Sequence, residues 1–152
     1  MICTMVEFMT GLHNLLRWVV VFAGLIAIFT ALRGLLTRAA WTRTDRRAGL
    51  VFTTALQLQL LLGLILYVIS PLVQGALSNF GAAMESDVLR RFALEHPLLM
   101  LLATLAAQLG YSLSRRASAD RAKFGRASVG YLLAAVLIVV GTPWGRSLIP
   151  WG

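Results

Sequence analysis

Four long apolar stretches divide the chain, at about 12–36, 48–70, 92–114 and 127–146. Each is close to the roughly 20 residues that a helix needs to cross the hydrocarbon core of a bilayer. The pattern predicts an all-α integral membrane protein, a four-helix bundle of up-down-up-down topology built as one domain over residues 1–152. His13 and Arg33 bracket the first stretch, and the 20 residues between them rise ~30 Å, the thickness of the hydrocarbon core. The second stretch begins after Arg47 and stops at Ser70-Pro71, where proline breaks a helix. The third is expected to start early, with Ser86 as N-cap and Asp87 in the first turn, and to kink at Pro97. The fourth ends near Gly141-Thr142-Pro143-Trp144.

Composition agrees. Hydrophobic residues make up 59% of the 152, and the mean hydropathy is +0.79. Soluble domains lie nearer half apolar. The first stretch lacks the basic n-region and cleavage motif of a secretory signal, so it is expected to be a retained span. Trp18, Tyr67, Trp144 and Trp151 fit an outer aromatic belt, and Trp41 follows the inner end of span one.

The net charge of +8 would suggest nucleic acid as a partner if the protein were soluble. Its placement argues for topology instead. Of 14 basic residues, ten lie in two short connections: Arg33, Arg38, Arg43, Arg46 and Arg47 in one, Arg115, Arg116, Arg121, Lys123 and Arg126 in the other. The positive-inside bias makes both connections cytoplasmic, as in a protein of the bacterial inner membrane. The termini and the Ser70–Arg91 loop then face outward. The single cysteine, Cys3, excludes an internal disulfide, a Cys-x-x-Cys redox pair and c-type haem attachment.

The candidate chemistry lies in the only two histidines, His13 and His96, each opening an apolar stretch. Each half of the chain reads as histidine, apolar helix, basic loop with one aspartate (Asp45, Asp120) and a returning helix. A parallel repeat of this kind sets the two imidazoles opposite one another, at the same depth near the outer face. A matched histidine pair in a helical bundle is the minimal protein requirement for holding haem iron. At helical spacing, His13 shares a face with Arg17, Val20, Gly24, Ala27 and Ala31, and His96 with Phe92, Met100, Ala103, Ala107 and Gly110. Both faces turn small below the histidine, which favours close packing there and a splayed histidine end.

Arg17, one turn inside His13, needs an anionic partner at that depth, such as a haem propionate or Glu95. Arg90 and Arg91 are further propionate candidates, although Asp87 and Glu95, each four residues from Arg91, also predict a local ion-pair ladder. Glu7, His13, Glu95 and His96 offer a bare metal site as an alternative, against which Glu95 and His96 point about 100° apart on a helix. Met100 is a potential iron ligand or plain packing. Gln57, Gln59 and Gln108 read as interhelical hydrogen bonds, with Gln59 or Tyr67 as an optional contact to a quinone head group.

The stretches His13-Asn-Leu-Leu-Arg17-Trp18, Gln59-Leu-Leu-Leu-Gly63-Leu-Ile-Leu-Tyr67, Gly81-Ala-Ala-Met84 and Glu95-His96 occur in that order. In these the chain resembles the small four-span bacterial membrane proteins labelled cytochrome b or cytochrome-b-like, over nearly its whole length. The resemblance implies haem b with His13 and His96 as axial ligands and Arg17 as a propionate or structural partner. Two histidines allow one bis-histidine haem, which excludes a two-haem wire within one chain. The expected function is electron transfer to or from quinol or a partner redox protein. The alternative is a non-catalytic accessory subunit of a larger respiratory or photosynthetic complex, or a homodimer. A transporter is a third reading, disfavoured because no span is broken by glycine and proline at mid-membrane.

Overall fold

The computed structural model of the protein describes residues 2–143. Trp144, Trp151 and the side chain of Cys3 lie outside the described residues. Among those residues there is no strand, and four helices are long and apolar enough to cross a membrane. They are α1 (Ile2–Thr37), α2 (Arg43–Ile69), α6 (His96–Arg116, continuous with the turns before it) and α7 (Asp120–Gly141). Three short helices join α2 to α6: α3 (Pro71–Ser78), α4 (Phe80–Glu85) and α5 (Asp87–Arg90). Large apolar side chains such as Phe22, Phe29, Val68 and Val129 face outward, as a lipid-facing surface requires.

The helices begin earlier than the apolar stretches suggest. Ile2–Leu12 contains one charge, Glu7, and no proline, so nothing stops the helix and α1 runs 36 residues. His13 therefore sits about three turns inside α1 rather than at its start. Thr42 opens α2 with a capping box: its hydroxyl accepts from the Asp45 N–H, and the Asp45 carboxylate accepts from the Thr42 N–H at 2.9 Å. That pairing carries the helix five residues upstream of the expected start and buries Asp45. At the other side of the same connection, Arg38 takes φ 52° and the Ala39 N–H reaches the Gly34 carbonyl at 3.1 Å, a left-handed stop to α1. Ser86 caps α5 as expected, accepting from the Leu89 N–H, with Asp87 in its first turn.

Packing follows a ring. α1 lies against α2 and α7, and α6 lies against the same two helices. The histidine-bearing helices thus occupy opposite corners. As α1 advances from His13 to Gly24, its neighbours on α2 recede from Gly63 to Phe52. The core at the end away from the histidines is closed by small residues: Ala27 and Ala31 of α1, Ala103 and Ala107 of α6, Ala127 and Ala134 of α7. The tightest approach is α6 on α7. A Cβ added at Gly130 would come within 2.7 Å of the Ala106 carbonyl oxygen, and one added at Gly110 would come within 2.8 Å of the Gly130 Cα. Because the obstacles are backbone atoms, no rotamer change relieves them. Without a water-driven hydrophobic effect between helices, such close backbone contact is a main source of association. Gly130→Val is expected to cost at least ~2 kcal/mol, read as a lower midpoint in thermal or detergent denaturation of the purified protein.

Candidate functional site

The bundle opens at the histidine end. A cavity of about 660 Å³ lies between α1, α2, α3 and α6, with Ile138 of α7 at its edge. Its volume is in the range of small-molecule and cofactor sites, roughly 300–1,000 Å³. His13, Arg17, Gln59, Tyr67, His96 and Met100 all line it, within a mostly apolar wall. The His13 and His96 rings face one another across the bundle with centroids 6.4 Å apart and planes at 77°.

Each ring is held differently. His96 shares a hydrogen bond of 2.8 Å between its Nδ1 and the Gly141 carbonyl oxygen. A carbonyl only accepts, so Nδ1 carries the proton and the neutral ring presents an electron pair at Nε2. The bond depends on the absence of a side chain at Gly141, where a Cβ would meet Leu99 Cβ at 2.8 Å and so hold the end of α7 away from α6. His13 is approached from α2. Its backbone carbonyl accepts from Gln59 Nε2 at 3.0 Å, and its ring lies beside Gly63, whose added Cβ would stand 3.4 Å from His13 Cε1. His13 Nδ1 and Gln59 Oε1 are both buried, and neither makes a hydrogen bond among the described residues.

The backbone beneath His96 is irregular for an identifiable reason. Pro97 has no N–H for the Ala93 carbonyl four residues back. The helix answers with a π-turn over Arg91–Glu95, and the Tyr67 hydroxyl donates to the Ala93 carbonyl at 2.9 Å. Tyr67 therefore ties α2 to the turn that carries His96. The proline signalled a break, but the α2 residue that meets the freed carbonyl lies 26 residues before Ala93 and left no local sign.

The remaining expected residues separate. Arg17 joins the cavity, one turn below His13. Arg90 and Arg91 do not line it. Arg90 pairs with Asp87 at 2.6 Å and Glu95 at 2.9 Å and also donates to the Met84 carbonyl, while Arg91 pairs with Glu95 at 3.6 Å. The ion-pair ladder thus centres on Arg90 rather than Arg91, because a three-residue step and the π-turn bring both carboxylates to it. The two carboxylate oxygens of Glu95 are engaged by these two arginines. No group of three or more histidine, cysteine or acidic side chains converges among the described residues, so the bare metal site over Glu7, His13, Glu95 and His96 gains no support. Gln57 Nε2 donates to Gln108 Oε1 at 3.1 Å, an interhelical amide pair as expected, away from the cavity.

No known protein family, curated protein or solved structure matches this chain. Tyr67→Phe, which removes only the donor to the Ala93 carbonyl, is expected to lower stability by about 1 kcal/mol. A melting curve of the purified variant reads this directly, and an unchanged midpoint would show that the π-turn stands without Tyr67.

Proposed function

We propose that this chain is a b-type cytochrome that holds one haem b between His13 and His96. The observation that carries the reading is the 6.4 Å between the ring centroids. A metal–imidazole bond is ~2.0 Å long and the ring centre lies ~1.1 Å behind the ligating nitrogen, so two axial imidazoles on one iron have centroids roughly 6 Å apart. Edge-to-face ring pairs in general span roughly 4.5–7 Å, so the spacing supports the haem reading through its place: both rings line one mostly apolar cavity of cofactor size. The Gly141 carbonyl supports the same reading, since a carbonyl on the Nδ1 proton is the usual outer partner of a metal-bound histidine.

The protein's own residues supply ligation, orientation and dielectric. His13 and His96 present ring nitrogens from opposite corners of the bundle. Arg17 places a cation beside them, suited to a propionate. The apolar wall keeps water from the iron. Haem bound there supplies reversible one-electron transfer, with quinol or another membrane redox protein as the proposed partner.

The proposed setting is a bacterial inner membrane, with up-down-up-down spans and both basic connections in the cytoplasm. Supporting this, Trp41 of the first connection packs at a tilt against Phe124 near the second, with ring centroids 4.7 Å apart, so the two basic segments share one end of the bundle. The test of topology uses single-cysteine variants in a Cys3→Ser background. An impermeant maleimide added to intact spheroplasts is expected to label Ser78→Cys and to spare Ser118→Cys; the reverse pattern would invert the assignment.

The test of function is the visible spectrum of protein purified from haem-replete cells, oxidised and then reduced with dithionite. A Soret band at one haem per chain is expected, with loss of at least ~90% of it in His13→Ala and in His96→Ala. Folded wild-type protein without visible absorbance would refute the proposal.

A further inference from the structure

The two histidines differ in what holds their tautomer. His96 relies on a main-chain carbonyl, which no substitution at Gly141 removes chemically. His13 has no such bond among the described residues, and its Nδ1 is buried. The Nδ1 edge of the ring faces α2, since a Cβ on Gly63 would lie 3.9 Å from Nδ1. Gln59 stands one turn before Gly63 on the same face of α2, already tied to the His13 carbonyl through Nε2. Its own Oε1 is the second buried polar atom there without a partner. Of the other α2 side chains at the cavity, the leucines have no acceptor, and Tyr67, whose hydroxyl donates to Ala93, makes no bond to His13 Nδ1.

An orphaned acceptor and an orphaned ring nitrogen, buried on touching residues in an apolar medium, each cost on the order of 1–3 kcal/mol unless they satisfy each other. They do so in only one protonation pattern. We propose that Gln59 is the positioning residue for His13: with Nε2 held on the main-chain carbonyl, its Oε1, which makes no bond in this structure, turns to accept from the ring Nδ1–H. His13 then presents its electron pair at Nε2, as His96 does. Both rings then keep Nε2 as the nitrogen free to ligate, and on the α1 side a side chain imposes this. The inference deepens the haem reading, and its first readout is independent of haem.

The measurement is nitrogen-15 NMR of ring-labelled histidine in the ligand-free protein, at mildly alkaline pH where neutral imidazoles dominate. The chain has two histidines, so two ring systems are seen, assigned with His13→Gln. Wild-type His13 is expected to show a protonated Nδ1 and an unprotonated Nε2. Gln59→Leu is expected to move His13 toward the Nε2–H form, which free imidazole side chains prefer in water, and to leave His96 unchanged. Gln59→Glu, which keeps an acceptor but loses the Nε2–H donor to the His13 carbonyl, is expected to restore the Nδ1–H form only in part. A wild-type His13 protonated at Nε2 overturns the proposal without any variant, and so does a tautomer that survives Gln59→Leu. Haem titration of the same samples separates the two claims. Wild-type protein that takes up no haem but shows the expected tautomers sinks the proposed function alone. Normal haem uptake with a Gln59-independent tautomer sinks the positioning role alone. In loaded protein, Gln59→Glu is further expected to shift the reduction midpoint downward, because a carboxylate on Nδ1–H makes the ligand more electron-donating.

Discussion

Inside a bilayer a polar atom has no water to turn to, and each one must find its partner within the protein. Much of this bundle follows from that constraint. The carbonyl freed by Pro97 is met by Tyr67, the Gln57 amide by Gln108, and the Thr53 and Thr104 hydroxyls by carbonyls one turn back on their own helices. Four buried side-chain atoms stand apart among the described residues: His13 Nδ1, Gln59 Oε1, Ser128 Oγ and Tyr131 Oη. Two of the four belong to His13 and Gln59, which both line the cavity at the histidine end. Ser128 and Tyr131 do not line that cavity, so the two unmatched atoms at its wall mark it as the candidate site.

The same bundle is closed at one end and open at the other, and small residues explain both. Gly110 and Gly130 let α6 and α7 touch backbone to backbone, and alanines carry the contact along the core. At the other end Gly141 and Gly63 work differently. They clear space beside the two imidazoles, one so that a carbonyl can reach His96 and the other so that the Cε1–Nδ1 edge of the His13 ring can approach α2. Stability and site are thus built from the same residue type in different surroundings.

Much of this was legible in the sequence. Apolar length gave four spans, and the two histidines marked where to look. The helical stripes below His13 and His96 named Val20, Ala27, Ala31, Ala103 and Ala107, all of them buried. The Thr42-x-x-Asp45 capping box was also present to be read and sets the true start of α2. What periodicity could not give were the partners distant in the chain. Gly141 lies 45 residues from His96 and Gln59 lies 46 from His13, and neither has a local pattern that announces the contact. Arg90 and Arg91 illustrate the opposite failure. Their position beside His96 suggested a role at the cavity, but nearby carboxylates captured them first.

The central claim is that His13 and His96 together ligate one iron while keeping the mutual orientation they have here. Ring planes at 77° are close to perpendicular. Electron paramagnetic resonance of the ferric protein reads both ligand identity and this angle. Two neutral imidazoles near perpendicular are expected to give the highly anisotropic low-spin signal, distinct from the rhombic low-spin spectrum of coplanar rings. A high-spin ferric signal, which means that at least one histidine is not bound, would contradict the account.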